Sequence, residues 1–268
     1  MSGRENSFKA SLTKESLKSS FSLPTPITHR TTCMSAAMKR YRYLRRLLKF
    51  DQMDFEFAIW QMTYLFINPQ KVYRNFQYRK QTKSQFARDD PAFFVLLLLW
   101  LFIASVGFTF VLQLSVVSFI KFNLYIVFVD CILVGLCIAT FLWFLSNKYL
   151  LKPSSVGQDV EWGYAFDVHL NAFFPPLVIL HVIQLFFYNV FISKDWFISR
   201  LFGNSLWLIS FIYYLYITFL GYSSLQILHK TQVLLSPVIP LLFVYAMTVT
   251  LGWNVTESVM NFYMYRVA

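Results

Sequence analysis

Charge is scarce in this chain: only 14% of its 268 residues are Asp, Glu, Lys or Arg, against about 25% in ordinary soluble domains. So little charge, combined with a mean hydropathy of +0.50, is incompatible with a water-facing surface around every segment. Cysteine is also rare. Of the three, Cys33 lies in a polar N-terminal stretch and Cys131 and Cys137 share one apolar run. Two cysteines six apart on one helix cannot bridge, so no disulfide framework or zinc spacing is present. The first thirty residues lack the apolar core of a secretory signal, so insertion is expected to rely on internal segments. No nucleophile elbow, P-loop, Rossmann turn or zinc-protease helix appears. The reading is therefore non-enzymatic, with no catalytic residue, cofactor or metal expected.

What the chain does have is apolar length. Phe93–Leu114, Phe122–Leu145, Ala172–Ile192, Leu201–Tyr222 and Val233–Trp253 are long enough to cross a bilayer, which takes about 20 residues as helix. A helix satisfies its own backbone polar groups in lipid. The fold class is all-α and membrane-integral, with five transmembrane helices preceded by interfacial amphipathic helices. The predicted organisation is a disordered cytosolic tail over 1–37, a basic interfacial segment over 38–91 and a five-helix membrane domain over 92–268.

The net charge of +11 is concentrated, with 17 of the 24 Lys and Arg residues before Pro91. With the N-terminus cytosolic, Met1–Pro91, Ser146–Asn171 and Ser223–Gln232 face the cytosol and hold 20 of the 24. That bias predicts a cytosolic N-terminus and a lumenal C-terminus. The sequon Asn254-Val255-Thr256 then faces the lumen, too close to the fifth span to be modified.

Within the basic segment, Met38–Phe50 interleaves six basic residues with Tyr and Leu. Met53, Phe57, Trp60, Tyr64 and Ile67 follow with helical spacing. The uncharged part, Phe57–Ile67, is too short to span and ends at Asn68-Pro69. A helix of this kind is expected to lie in the membrane interface. Arg42, Arg45, Arg46, Trp60, Arg74, Arg79 and Lys80 are the candidate contacts to an anionic cytosolic leaflet, where each cation contributes about 1 kcal/mol, or to a protein partner. RNA, with bases stacked on the aromatics and phosphates on the cations, ranks third because no RRM or KH signature accompanies the segment. Asp90 and Pro91 suit the start of the first span.

Two further constellations stand out. Asp130 lies inside the second run, where a carboxylate costs on the order of 3 kcal/mol and needs a partner. His181 and Gln184, three residues apart on the third run, lie at comparable depth. The three are candidates for an intramembrane polar cluster, either interhelical glue worth about 0.6–2 kcal/mol or the site of a transporter or lipid-handling protein. Glu161, Trp162, Tyr164, Asp167 and His169 fall in the longest inter-helical connection. Their acidic and aromatic mixture suits partner docking by a loop, with helix capping and local packing as the plainer reading.

MDFEFAIWQMTYLF at Met53–Phe66, VYRNFQYRKQTKSQFARDDPAF at Val72–Phe93, DVEWGYAFDVHLNAFFP at Asp159–Pro175, LGWN at Leu251–Asn254 and the terminal FYMYRV together resemble the Unc-fifty family of five-span Golgi membrane proteins. The likeness covers about residue 38 to the C-terminus. It implies a Golgi location, with the endoplasmic reticulum or inner nuclear membrane as further sites, and a role in membrane trafficking. It also implies recruitment of an Arf guanine-nucleotide exchange factor and cell-surface delivery of multi-subunit receptors, with RNA binding attached to some members. The family brings no catalytic residues to carry over.

Overall fold

A computed structural model describes residues 41, 45, 47, 49–74, 88, 90–155 and 157–267. Among them are seven principal helices: α1 (Phe55–Ile67), α2 (Ala92–Leu112), α3 (Val116–Leu150), α4 (Trp162–Ile192), α5 (Phe197–Ser223), α6 (Thr231–Thr250) and α7 (Val255–Val267). Helices α2 to α6 are long and apolar enough to cross a membrane, and the chain is a multi-pass membrane protein. Short connections make them alternate in direction. The near end of the bundle carries α1 and the 151–161 and 224–230 connections; the far end carries the 113–115, 193–196 and 251–254 connections.

The bilayer hydrocarbon is about 30 Å thick, and α2, with 21 residues, matches it at about 1.5 Å per residue. Helices α3 and α4, with 35 and 31 residues, run to roughly 52 and 46 Å. The excess of α4 lies at the near end. Phe174 packs edge-on against Phe93 in the first turn of α2 (6.2 Å between ring centroids), so Trp162–Phe173 overhang that level. The sequence therefore located the apolar part of the third span and missed ten residues of helix before it. These are polar enough to leave hydrocarbon, yet they continue the same helix. The same underestimate extends α3 back to Val116, which places Lys121 on the helix rather than in a connection.

Helix α1 starts at Asp54, whose carboxylate accepts from the Phe57 amide (2.9 Å) and relieves one unpaired donor of the first turn. The Asp54 amide donates to Asp90 Oδ2 (2.8 Å), and Asp90 Oδ1 accepts from the Ala92 amide (3.0 Å). One aspartate thus ties the starts of α1 and α2 together. Helix α1 packs on α2 and α4 through Ala58, Gln61, Met62 and Leu65. The Phe57–Trp60–Tyr64 stripe, expected to meet the membrane interface, lies on a different face. The small Ala58 and slender Met62 permit close approach, and the bulkier aromatics stay half-exposed.

Helical geometry resumes over 69–74. Pro69 has no N–H to offer the Leu65 carbonyl one turn back. The Tyr213 hydroxyl from α5 donates to that carbonyl instead (2.7 Å). Val72 and Tyr73 then bury against the bundle.

Several stretches widen to i→i+5 hydrogen bonding, among them Ile126–Leu133 in α3 and Ile179–Ile183 in α4. Such π-turns are rare in helices and gather at functional sites. Here they contain Asp130 and His181 respectively.

Candidate functional site

The residues that carry polar chemistry form two groups, one at each end of the bundle.

At the near end, the expected docking loop is a helix. Trp162 opens α4, and Tyr164, Asp167 and His169 are buried at 2%, 6% and 1% exposure. Their side chains meet other helices, so they do not form an open loop surface. Alternate spacing would align Asp167, His169 and Asn171 on one face only in an extended chain. In the helix, Asp167 and Asn171 are four apart and share a face, and His169 turns to another.

Arg88 lies on the shared face. Its backbone amide donates to Asp167 Oδ2 (2.6 Å) and its guanidinium donates to Asn171 Oδ1. The guanidinium also stacks 4.3 Å from the centre of the Phe93 ring. Asn171 Nδ2 donates to the Tyr73 hydroxyl (3.5 Å). Burial pushes the Tyr73 phenol well above its ordinary value, opposed by the Asn171 hydrogen bond and the Arg88 charge. Tyr73 is therefore a neutral clamp at any physiological pH. On the other face, His169 Nδ1 pairs with the Tyr214 hydroxyl (2.8 Å). A Cβ at Gly135 would come within 2.7 Å of His169 Nε2, so only glycine lets α3 approach the imidazole this closely. Tyr164 donates to the Gly221 carbonyl (2.6 Å).

Glu161 and Trp162 remain part-exposed at the head of α4. Trp162 stacks flat on Phe166, with ring centroids 5.6 Å apart, and donates to Thr140 Oγ1 (3.1 Å). Sequence reasoning missed Asn147, whose side-chain amide pairs with both backbone groups of Val160 (2.8 and 3.1 Å). A lone asparagine near a helix end carries no pattern that would have singled it out. The two near-end connections are zipped together: Lys152 N–H donates to the Ile227 carbonyl (2.9 Å), and His229 N–H donates to the Leu150 carbonyl (2.8 Å).

Trp60 sits between Phe57 and Tyr64 on the outer side of α1, with ring centroids 5.6 and 4.5 Å away. The Lys71 ammonium lies over the Tyr64 ring at 4.1 Å and the Trp60 ring at 5.6 Å. Arg45 and Arg74 are exposed. Arg42, Arg46, Arg79 and Lys80 lie outside the described residues.

Toward the far end, the expected cluster is only partly assembled. Asp130, His181 and Gln184 make no hydrogen bonds to one another. Asp130 Oδ2 accepts from the Tyr263 hydroxyl of α7 (2.9 Å). Gln184 donates to Thr256 Oγ1, which also accepts from Trp207 Nε1 (3.2 Å). His181 stacks at a tilt on Phe108 (5.4 Å), and its buried Nδ1 has no partner among the described residues. Phe108 in turn meets Tyr263 edge-on (6.0 Å). The three polar residues thus communicate through α7 and one phenylalanine. Burial, reinforced by the Asp130 carboxylate beside it, pushes the Tyr263 phenol far above its ordinary value. It is a permanent donor.

The turn into α7 is equally specific. Gly252 has φ +70°, and a Cβ there would meet Arg200 Nη1 at 2.9 Å. Asn254 donates to the Ile192 carbonyl (3.0 Å), and its Oδ1 accepts from the Glu257 amide (3.2 Å). Thr256 is fully buried. Both polar side chains of the sequon are therefore spent on holding α7, a stronger obstacle to modification than nearness to the bilayer. Among the described residues no three His, Cys, Asp or Glu side chains gather as a metal site.

With this geometry in view, comparison with known proteins is decisive for kinship. The profile of the UNC-50 family matches residues 43–264. The chain belongs to the UNC-50 family. It is 61% identical over 246 residues to the protein unc-50 homolog of Drosophila melanogaster, covering 91% of this chain and 89% of that one. It is 60% identical over 233 residues to the protein unc-50 homolog of Homo sapiens, covering 87% and 90%. The Danio rerio homolog is 57% identical over 257 residues, covering 91% and 99%. No solved structure matches. The family match takes in α1, the near-end network and most of α7, so all three lie within the shared unit.

Proposed function

We propose that this UNC-50 family member is a non-enzymatic Golgi membrane protein of the trafficking system, with its near end in the cytosol and its C-terminus in the lumen. The near end presents a docking platform to a cytosolic factor of the Arf exchange-factor class, and the spans engage transmembrane receptor cargo. One observation carries this reading: the segment around α1 is clamped to the bundle through Asp90, Arg88, Tyr73 and Tyr213. A near-end element this firmly seated can transmit contact between a soluble partner and the membrane-embedded helices. The anionic leaflet holds the flanking cations, including Arg74, Arg79 and Lys80. The recruiting surface, expected on the 38–91 segment together with the 146–171 connection, narrows to the charged shallow part of the first segment, around Asp51, Glu56 and Arg74, with Glu161 and Trp162, because Tyr164, Asp167 and His169 are buried.

Proximity labelling tests the proposal. A labelling enzyme at the N-terminus should mark Arf exchange factors, and the same enzyme at the C-terminus should mark lumenal proteins only. Arg74→Glu, Arg79→Glu and Lys80→Glu together should abolish the N-terminal signal with five spans still inserted. Undiminished labelling by that variant would reject the platform. A transporter built on Asp130 and His181 is less well supported, since Tyr263 already supplies the partner that Asp130 requires.

A further inference from the structure

Helix α1 does not lie flat. Its first residue follows Asp54, whose amide bonds to Asp90 immediately before α2. That end is level with the beginning of the first span. At its other end, Phe66 packs against Phe174 (5.7 Å), and Phe174 also meets Phe93 (6.2 Å) and Trp100 (6.1 Å) of α2. The tip of α1 is therefore level with the stretch of α2 from Phe93 to Trp100, about 2–12 Å inside its start at ~1.5 Å per residue. Tyr213, which holds the Leu65 carbonyl, lies ten residues from the end of α5, about 15 Å along that helix. A 13-residue helix of roughly 20 Å thus descends obliquely and turns back at Asn68-Pro69.

The bilayer that surrounds α2 must also cover whatever α1 exposes at this depth. What it exposes there is uncharged and mostly apolar: Ile59 at 54%, Phe66 at 39% and Ile67 at 71%, while the exposed Thr63 hydroxyl donates to the Ile59 carbonyl (2.9 Å) and Asn68 Oδ1 accepts from the Lys71 amide (3.2 Å). The only charge on α1, Glu56, belongs to its first turn at the shallow end. Cations return at Lys71 and Arg74 once the chain has turned outward. The pattern along the hairpin is charge, apolar tip, charge, as one leaflet would require.

We infer that α1 and the helical turns over 69–74 form a re-entrant wedge inserted into the near leaflet alone, with Phe66 and Ile67 among the acyl chains and the flanking charges at the headgroups. Its occupant is lipid. The inference rests on the five spans lying in a bilayer and is independent of the trafficking role. A wedge confined to one leaflet expands that leaflet only, and elements of this kind respond to membrane curvature and packing.

Fluorescence quenching in reconstituted vesicles decides it. On a background with Cys33→Ser, Cys131→Ala and Cys137→Ala, an environment-sensitive probe is attached to single cysteines made by Ile67→Cys, Glu56→Cys and, as a control within α2, Leu99→Cys. All three sites are exposed, so the substitutions leave the packing intact. Phosphatidylcholine spin-labelled near the top of the acyl chain should quench the Ile67 and Leu99 probes, with iodide reaching only the Glu56 probe. Iodide quenching at Ile67 without lipid quenching, while Leu99 remains lipid-quenched, would overturn the wedge and indicate a surface open to water or to a soluble protein. Loss of lipid quenching at Leu99 would instead remove the five-span account on which the wedge stands.

Discussion

Of the principal helices among the described residues, α1 and α7 lie outside the spans and are both 13 residues long, but different chemistry fastens them. Helix α1 is held through backbone groups and a buried apolar face, with Tyr213 replacing the hydrogen bond that Pro69 removes. Helix α7 is held by side chains reaching polar atoms inside the bundle: Tyr263 to Asp130, and Thr256 with Gln184 and Trp207. Contacts to backbone tolerate sequence change on the partner helix, whereas contacts between side chains demand particular residues on both sides. The first kind keeps α1 seated whatever side chains the partner helix carries. The second makes α7 a selective plug for polar residues that lipid alone would leave unsatisfied.

The largest expected effect tests the near-end clamp. Asp167→Leu removes the carboxylate that accepts from the Arg88 amide and leaves that donor unsatisfied. Losing a hydrogen bond to a charged acceptor costs about 1.5–3 kcal/mol, read as a large drop in thermal unfolding temperature in detergent. Next comes Gly135→Val, which drives a branched side chain into the His169 imidazole. Overpacking should cost about 1–3 kcal/mol, and adding His169→Ala should recover part of it, because residues in contact are not additive.

At the far end, Asp130→Asn keeps an acceptor for Tyr263 and should preserve the steady-state level. Asp130→Leu should lower it. A double-mutant cycle of Asp130→Leu with Tyr263→Phe should show a coupling of about 0.6–2 kcal/mol. A coupling near zero would mean that α7 is not fastened as described, and the contrast with α1 would dissolve. The smallest effect belongs to Lys71→Ala, which removes a cation from the faces of Tyr64 and Trp60 and should cost about 0.5–1 kcal/mol.

The spans were legible because twenty-residue apolar runs have few alternatives in a chain this poor in charge. Their overhangs were not, since Asp167, His169 and Asn171 are polar and helical together, and hydropathy reads polarity as the end of a helix. The near-end cluster was half-visible. Asp167 and His169 stand out in the sequence, but their partners Arg88 and Tyr214 lie 79 and 45 residues away, where no periodicity connects them. Asp130 was recognised as needing a partner, and two candidates were taken from the neighbouring span because depth was the only guide. The actual donor, Tyr263, belongs to a short helix after the last span. With Glu257, Ser258, Asn261 and Arg266 among its 13 residues, that helix has no apolar run to announce it.

The central claim is that an odd number of crossings separates the α1 platform from the α7 plug. Protease protection in sealed vesicles of native membrane, with one epitope at Met1 and another after Ala268, tests this most directly. Added protease should remove the N-terminal epitope from intact vesicles and reach the C-terminal epitope only after detergent. Removal of both epitopes from intact vesicles, or protection of both, would contradict it.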